Sequence, residues 1–250
     1  MDRIKKITFK EKIKNIKTSF KSLKWYEIIM IIIMIIIASI AVVEAIIHPE
    51  TSTNPLWLTI INFISAICGI MCIFFCAKAN ISNFIFAVIN TFVYAIFLWY
   101  HKIYGTFALE VLFYQPVNFI SWYIWSKHRD EKLIEKTKAK KLTLLQNILC
   151  AIIITIGGIV YHSILVKIGG TVAWLDAFTL SIGIIAVILE MFRYKEQYIW
   201  WIITDIIAVA MYIIHFDLVY LTKKSIYLIM AIIGIINWTK LNKERNKTNE

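Results

Sequence analysis

Long apolar runs separated by short polar breaks dominate the chain. About 20 apolar residues as helix span the hydrocarbon core of a bilayer. The pattern predicts eight spans, at 28–47, 57–77, 82–100, 105–125, 142–165, 171–192, 197–215 and 222–239. His48-Pro49-Glu50 through Pro55 breaks the first run from the second, and the one long connection runs from Ser126 to Lys141. Residues 1–25 read differently. Ile13, Ile16, Phe20 and Leu23 recur at helical spacing among nine Lys or Arg, which predicts a basic amphipathic helix lying on an anionic leaflet.

Composition supports lipid as the main solvent. Apolar residues make up 60% of the 250 residues, with a mean hydropathy of +0.71, against about half in soluble domains. Three prolines and eight glycines leave little room for a β-rich fold. The net charge of +11 would suit nucleic acid, but the cations sit at the ends of apolar runs, so no nucleic-acid partner is expected. Counted over the connections, 23 of the 27 Lys and Arg fall on one side of an eight-span chain; Lys102, Lys167, Lys223 and Lys224 fall on the other. The bias of cations towards the inner side then places both termini in the cytoplasm.

The chain also repeats itself. At an offset of 115, Lys78 falls on Arg193, Phe86 on Trp201, Asn90 on Asp205 and Ala95 on Ala210. At 116, Tyr104 meets Tyr220, Leu112 meets Leu228 and Trp122 meets Trp238. Two three-helix repeats joined by one linker helix are parallel, related by an axis along the membrane normal, as in SWEET transporters. The expected fold is therefore all-α and integral to the membrane: eight transmembrane helices, a 3+1+3 parallel-repeat core and an extra N-terminal helix. Its parts are a basic amphipathic segment (1–27), the extra helix (28–47), repeat 1 (57–125), a basic loop (126–141), the linker (142–165), repeat 2 (171–239) and a basic tail (240–250).

Polar residues inside apolar spans need a partner or a cavity. Glu44 and Glu190 lie near helix ends, and Glu190 has Arg193 three residues on as a partner. Asp205 lies mid-span, where an ionised carboxylate costs roughly 2.5–3.5 kcal/mol on insertion scales. Tyr198, Trp201 and Asp205 share a helix face, and aromatic rings ending in a carboxylate suit a flat, cationic heterocycle. The bland alternative for Tyr198 is an interfacial aromatic belt. Asn90 is also mid-span, with Phe86 one turn before it. Gln115, Asn118 and Trp122 share a face, and Pro116 among them should kink the helix. Those amides read as pocket lining or as interhelical hydrogen bonds. Asn237, beside Trp238, is a weaker candidate.

Enzyme signatures are absent: the chain has no GxSxG, no HExxH and no glycine-rich phosphate loop. Cys68, Cys72 and Cys76 line one helix face without the partners of a metal site and read as small packing residues, so no metal and no cofactor are expected. A membrane enzyme or a non-transporting scaffold stays open as the alternative class.

At these residues the sequence resembles the PnuC family of nicotinamide riboside transporters, over roughly 60–245. Ile81-Ser82-Asn83-Phe84, Ile89-Asn90 and Ile103-Tyr104-Gly105 resemble its core helices, Gln115-Pro116-Val117-Asn118 its QxxN element, and Ser121-Trp122-Tyr123-Ile124-Trp125 its aromatic helix end. The face ending in Asp205 resembles WxxWxxxD, with Tyr198 in place of the first tryptophan. The resemblance implies facilitated diffusion of unphosphorylated nicotinamide riboside by a monomer or small homo-oligomer, with a cytosolic kinase trapping the product. In that reading Trp201 and Tyr198 stack on the pyridinium, Asp205 balances charge or bonds the sugar, and Asn90, Gln115 and Asn118 hold the ribose or amide. Relatives for thiamine or riboflavin share the architecture and remain the alternative.

Overall fold

The computed structural model describes residues 17–50, 52, 54–130, 136–167, 174–214 and 218–248. Its helices are α1 (Trp25–Ile47), α2 (Leu56–Ala77), α3 (Asn83–Tyr100), α4 (Tyr104–Leu109), α5 (Gln115–Lys127), α6 (Leu144–Lys167), α7 (Trp174–Met191), α8 (Gln197–Ile214) and α9 (Leu218–Thr248). A π-helical segment, Glu110–Tyr114, joins α4 to α5. Among the described residues, six helices are long and apolar enough to cross a membrane: α1, α2, α3, α6, α8 and α9; α7 contributes the shorter apolar stretch Ala177–Met191. Among the described residues there are only isolated β-bridges and no strands.

Two runs differ from their expected form for local reasons. The fourth is not a smooth helix. Pro116 has no N–H to offer the preceding turn, and the Gln115 N–H reaches back five residues to the Glu110 carbonyl. The expected kink is thus absorbed as a π-turn. The last helix starts four residues earlier than expected, at Leu218, and continues through the expected tail to Thr248.

Packing around the core closes a ring. α2 packs on α3, α3 on α5, α5 on α7, α7 on α8, α8 on α9, and α9 on α2. α6 lies outside against α7, and α1 lies outside against α2 and α9. Both outer helices expose rows of isoleucine, among them Ile32, Ile36, Ile152 and Ile156, as helices facing lipid should.

One end of the ring is stitched by backbone geometry that occurs twice. After α2, Ala79 takes a left-handed φ of 56°, and after α7 Arg193 takes 69°. The Ala79 N–H donates to Cys76 O (2.8 Å) and the Asn80 N–H to Phe75 O (2.9 Å). The Arg193 N–H donates to Glu190 O (2.9 Å) and the Tyr194 N–H to Leu189 O (2.8 Å). Both are Schellman caps, 114 residues apart. The backbone register therefore differs by one from the offset of 115 expected from side-chain likeness. Ala79, not Lys78, pairs with Arg193, and Thr91, not Asn90, with Asp205.

The same end carries a reciprocal pair of tryptophans. Trp125 Nε1 on α5 donates to Glu190 O of α7, and Trp238 Nε1 on α9 donates to Cys76 O of α2, both at 2.9 Å. Their rings meet at 5.3 Å; Phe84 packs edge-on to Trp125 at 4.8 Å and Tyr198 edge-on to Trp238 at 5.7 Å. Trp125, rather than the expected Trp122, is the counterpart of Trp238. Over this cluster runs the chain after residue 136. The Thr137 N–H donates to Ala79 O (2.9 Å) and the Lys140 N–H to Arg193 O (2.7 Å), and Glu196 Oε2 accepts from the Leu142 N–H (3.0 Å).

The described part of the N-terminal segment packs against the ring; Ile13 and Ile16 of the expected amphipathic helix lie outside the described residues. A helical turn over 17–21 sets Ser19 against Asn80 (2.7 Å) and Ser82 (3.2 Å), and Phe20 edge-on to Phe75. Lys78 bonds Glu27 of α1 and donates to Ser22 O (2.7 Å). Burial lowers the Lys78 pKa, and Glu27 opposes that.

Glu27 and Lys78 are both buried, and removing one partner of such a pair costs about 3–5 kcal/mol. Glu27→Ala should therefore lower the thermal unfolding temperature of the detergent-solubilised protein, and Glu27→Ala/Lys78→Met should regain much of the loss. A single variant as stable as the parent would show that the pair does not anchor α1.

Candidate functional site

Within the ring, several polar side chains meet about halfway along the helices. Asp205 is the ninth residue of α8 and is 3% exposed. Its Oδ1 accepts from Lys224 Nζ of α9 at 3.0 Å. Lys224 was counted with the outer-side cations, at the start of the expected span 222–239. It lies six residues into α9 because that helix begins at Leu218, and its stem carries the ammonium inward. Nζ also stands 5.4 Å from the ring centre of Tyr227, and Lys223 Nζ stands 5.7 Å from the same ring.

Tyr227 extends this layer towards α2 and α3. A Cβ placed on Gly69 would lie 2.6 Å from the Tyr227 hydroxyl and 3.6 Å from Asn90 Oδ1. Glycine is what lets α9 approach α2 there. Asn90 Oδ1 accepts from Ser65 Oγ at 2.8 Å. Thus Asp205, Lys224, Tyr227, Ser65 and Asn90 join α8, α9, α2 and α3 in one polar layer.

A second group lies between α3 and α5. Asn118 Nδ2 donates to Thr91 Oγ1 at 3.1 Å. Gln115 Oε1 is buried with no protein hydrogen-bond partner. Thr91 and Gln115 line a groove of about 430 Å³ with Glu110 of the π-turn and the apolar Phe92, Ala95 and Trp99. Asn118 therefore faces Thr91 and Gln115 the groove, while Asn90 faces α2.

The other expected residues sit elsewhere. Tyr198 is buried in the closing cluster, its hydroxyl 3.4 Å from Cys76 Sγ and its ring against Gly234. Trp201 is half-buried against that cluster, between the aromatic end and the polar layer. Phe86 packs on Phe75 (5.5 Å) and Phe20 (6.1 Å), under the N-terminal turn. Asn237 Nδ2 donates to Ala77 O at 3.2 Å and caps α2. One helix face thus divides by depth: Tyr198 in the core, Trp201 at its rim, Asp205 in the polar layer.

Lys224, Tyr227, Ser65 and Thr91 are additions that the sequence reading missed. The early start of α9 was the signal for Lys224. Glu190 differs too: the Arg193 guanidinium donates to Lys138 O (3.1 Å), and the Glu190 carboxyl interacts with Cys76 and Cys72. The cysteines are free thiols, and among the described residues no cluster could hold a metal.

Amides, hydroxyls and one buried carboxylate around an aromatic ring suit a small polar solute with a planar ring. Residues 59–240 match the family model of the nicotinamide mononucleotide transporter. The chain belongs to this family. The matched residues hold every ring helix except the first three positions of α2 and the last eight of α9, and leave out α1. Among relatives of this family, the nicotinamide riboside transporter PnuC of Neisseria mucosa is 33% identical over 192 residues, 73% of each chain. PnuC of Haemophilus influenzae is 31% identical, over 76% of this chain and 82% of the relative. A crystal structure of the vitamin B3 transporter PnuC superposes with a TM-score of 0.70 at 30% identity, covering 89% of this chain and 94% of the other. The protein is accordingly a multi-pass inner-membrane protein of the transporter class.

A Cβ on Gly234 would fall 2.6 Å from Tyr198 Cζ and 2.8 Å from Cδ1. Overpacking of this kind costs about 1–3 kcal/mol, so Gly234→Ala should lower the unfolding temperature and Gly234→Ala/Tyr198→Leu should restore part of it. An unchanged Gly234→Ala protein would mean that Tyr198 is not seated against α9.

Proposed function

We propose that this protein carries nicotinamide riboside into the cytoplasm by facilitated diffusion, with a cytosolic kinase consuming the product and so keeping the gradient inward. The observation that carries the reading is the Asp205 layer, a carboxylate and hydrogen-bonding groups at mid-depth in a ring shared with PnuC. Trp201 stands next to that layer on the same helix face and supplies an indole for the pyridinium. Gln115 and Asn118 supply amides for the ribose or carboxamide.

In this reading the chain crosses the membrane eight times, with the α4–π–α5 segment and α7 as the spans beyond the six long apolar helices. The two Schellman caps 114 residues apart, the reciprocal tryptophan bonds and the order of contacts around the ring support two parallel three-helix repeats with α6 as linker and α1 peripheral. The end closed by Trp125 and Trp238 is the cytoplasmic end, because Lys78, Arg193 and the basic loop gather there and inner sides are rich in cations. The ring is complete within one chain, so a monomer or small homo-oligomer suffices. The family's description names the mononucleotide and the relatives' names the riboside. The tyrosine at 198 keeps a second reading in view, a same-fold carrier of thiamine or riboflavin.

Uptake into proteoliposomes should be saturable for nicotinamide riboside and weak for nicotinamide mononucleotide, thiamine and riboflavin; preferred uptake of another compound would replace the assignment. Trp201→Ala should weaken riboside binding by about fivefold or more, the loss of one aromatic contact worth about 1 kcal/mol or more. Equal affinity in a titration of the two proteins would remove Trp201 from the site.

A further inference from the structure

The Lys224 ammonium sits where a cationic ligand would be held. It lies 3.0 Å from the Asp205 carboxylate and 5.4 Å from the centre of the Tyr227 ring. A carboxylate and an aromatic face are the two features that bind an organic cation in a desolvated place. We propose that Lys224 is a tethered stand-in for the substrate cation: it occupies the Asp205–Tyr227 subsite when the carrier is empty and is displaced when a cationic ring enters. This rests on the nicotinamide riboside reading, and it makes Lys224 a specificity-determining residue for charge.

Three observations indicate that the lysine is the partner that moves. The Asp205 side chain is 4% exposed and that of Lys224 is 28%, so the carboxylate is enclosed in the layer and the lysine is the more accessible partner. Lys224 is six residues from the start of α9, about 9 Å along the helix, and a four-carbon stem can turn its head towards that end. Lys223 Nζ stands against the same Tyr227 ring at 5.7 Å, so two like charges share one aromatic neighbour and Lys224 is held less firmly than an isolated partner would be. An empty site with a bare carboxylate at this depth would be costly. The tether removes that cost without closing the site to a competitor of the same charge.

The experiment compares nicotinamide riboside, whose pyridinium is cationic, with its neutral 1,4-dihydro form, by titration of the full-length detergent-solubilised protein. Lys224→Met frees Asp205 and should bind the cationic form about tenfold or more tighter than the parent, the scale of a close charge pair, with little change for the neutral form. Lys224→Arg keeps a tethered cation and should stay near the parent. Asp205→Asn/Lys224→Met has no buried charge to leave unpaired, so it provides a foldable control even where Lys224→Met does not fold; it should bind the two forms equally. Lys224→Met binding the cation no tighter, or the double variant keeping the parent's preference between the two forms, would overturn the proposal. A parent protein that binds neither form would instead remove the substrate reading on which the proposal rests.

Discussion

A helix that ends near or within lipid leaves carbonyls that water cannot reach, and each must find a donor. Here the carbonyls of Cys76 and Glu190 each take two. One donor comes from the local turn, through the N–H of Ala79 or Arg193, and one comes from across the ring, through the indole of Trp238 or Trp125. The cross-ring bonds tie the last helix of each half to the first helix of the other. Much else at this end depends on them. The left-handed residues, the strap over 137–142 and the edge-on packing of Phe84 and Tyr198 are arranged around those two indoles.

The polar layer obeys the opposite rule. Where the closing cluster excludes every unpaired charge, the layer keeps a charged pair at mid-depth and balances it within one side-chain length. Asp205 and Lys224 come from neighbouring helices α8 and α9. Ser65 and Asn90 do the same for α2 and α3, with neutral groups. At these two contacts one half of the ring thus holds a charged pair and the other a neutral hydrogen bond. A single solute bound between them would meet charge on one side and dipoles on the other.

Helix positions and the mid-depth place of Asp205 could be read from the sequence because both follow from hydropathy, and depth in an apolar run is an energetic statement. Register could not. The offset of 115 rests on side-chain likenesses such as Lys78 to Arg193 and Asn90 to Asp205, whereas the two backbone caps that Ala79 and Arg193 form without glycine are 114 residues apart. Trp122 and Trp125 are less than one turn apart, and only the bond to Glu190 O separates them. Lys224 was hidden because a pair of lysines depresses local hydropathy and mimics a helix end. Tyr198, Trp201 and Asp205 share a face as expected, but a face extends through depth, and only depth decides which side chain meets the core and which the site.

The last helix has 31 residues, about 46 Å at 1.5 Å per residue, against a hydrocarbon core of about 30 Å. The excess lies beyond Trp238, the point where α9 is pinned to α2. Its outer portion is a lever arm with a fulcrum, so a small tilt of α9 inside the ring becomes a larger displacement of the ten residues that follow Trp238. A label on that arm would turn a change of a few degrees among buried helices into a distance measurable in water.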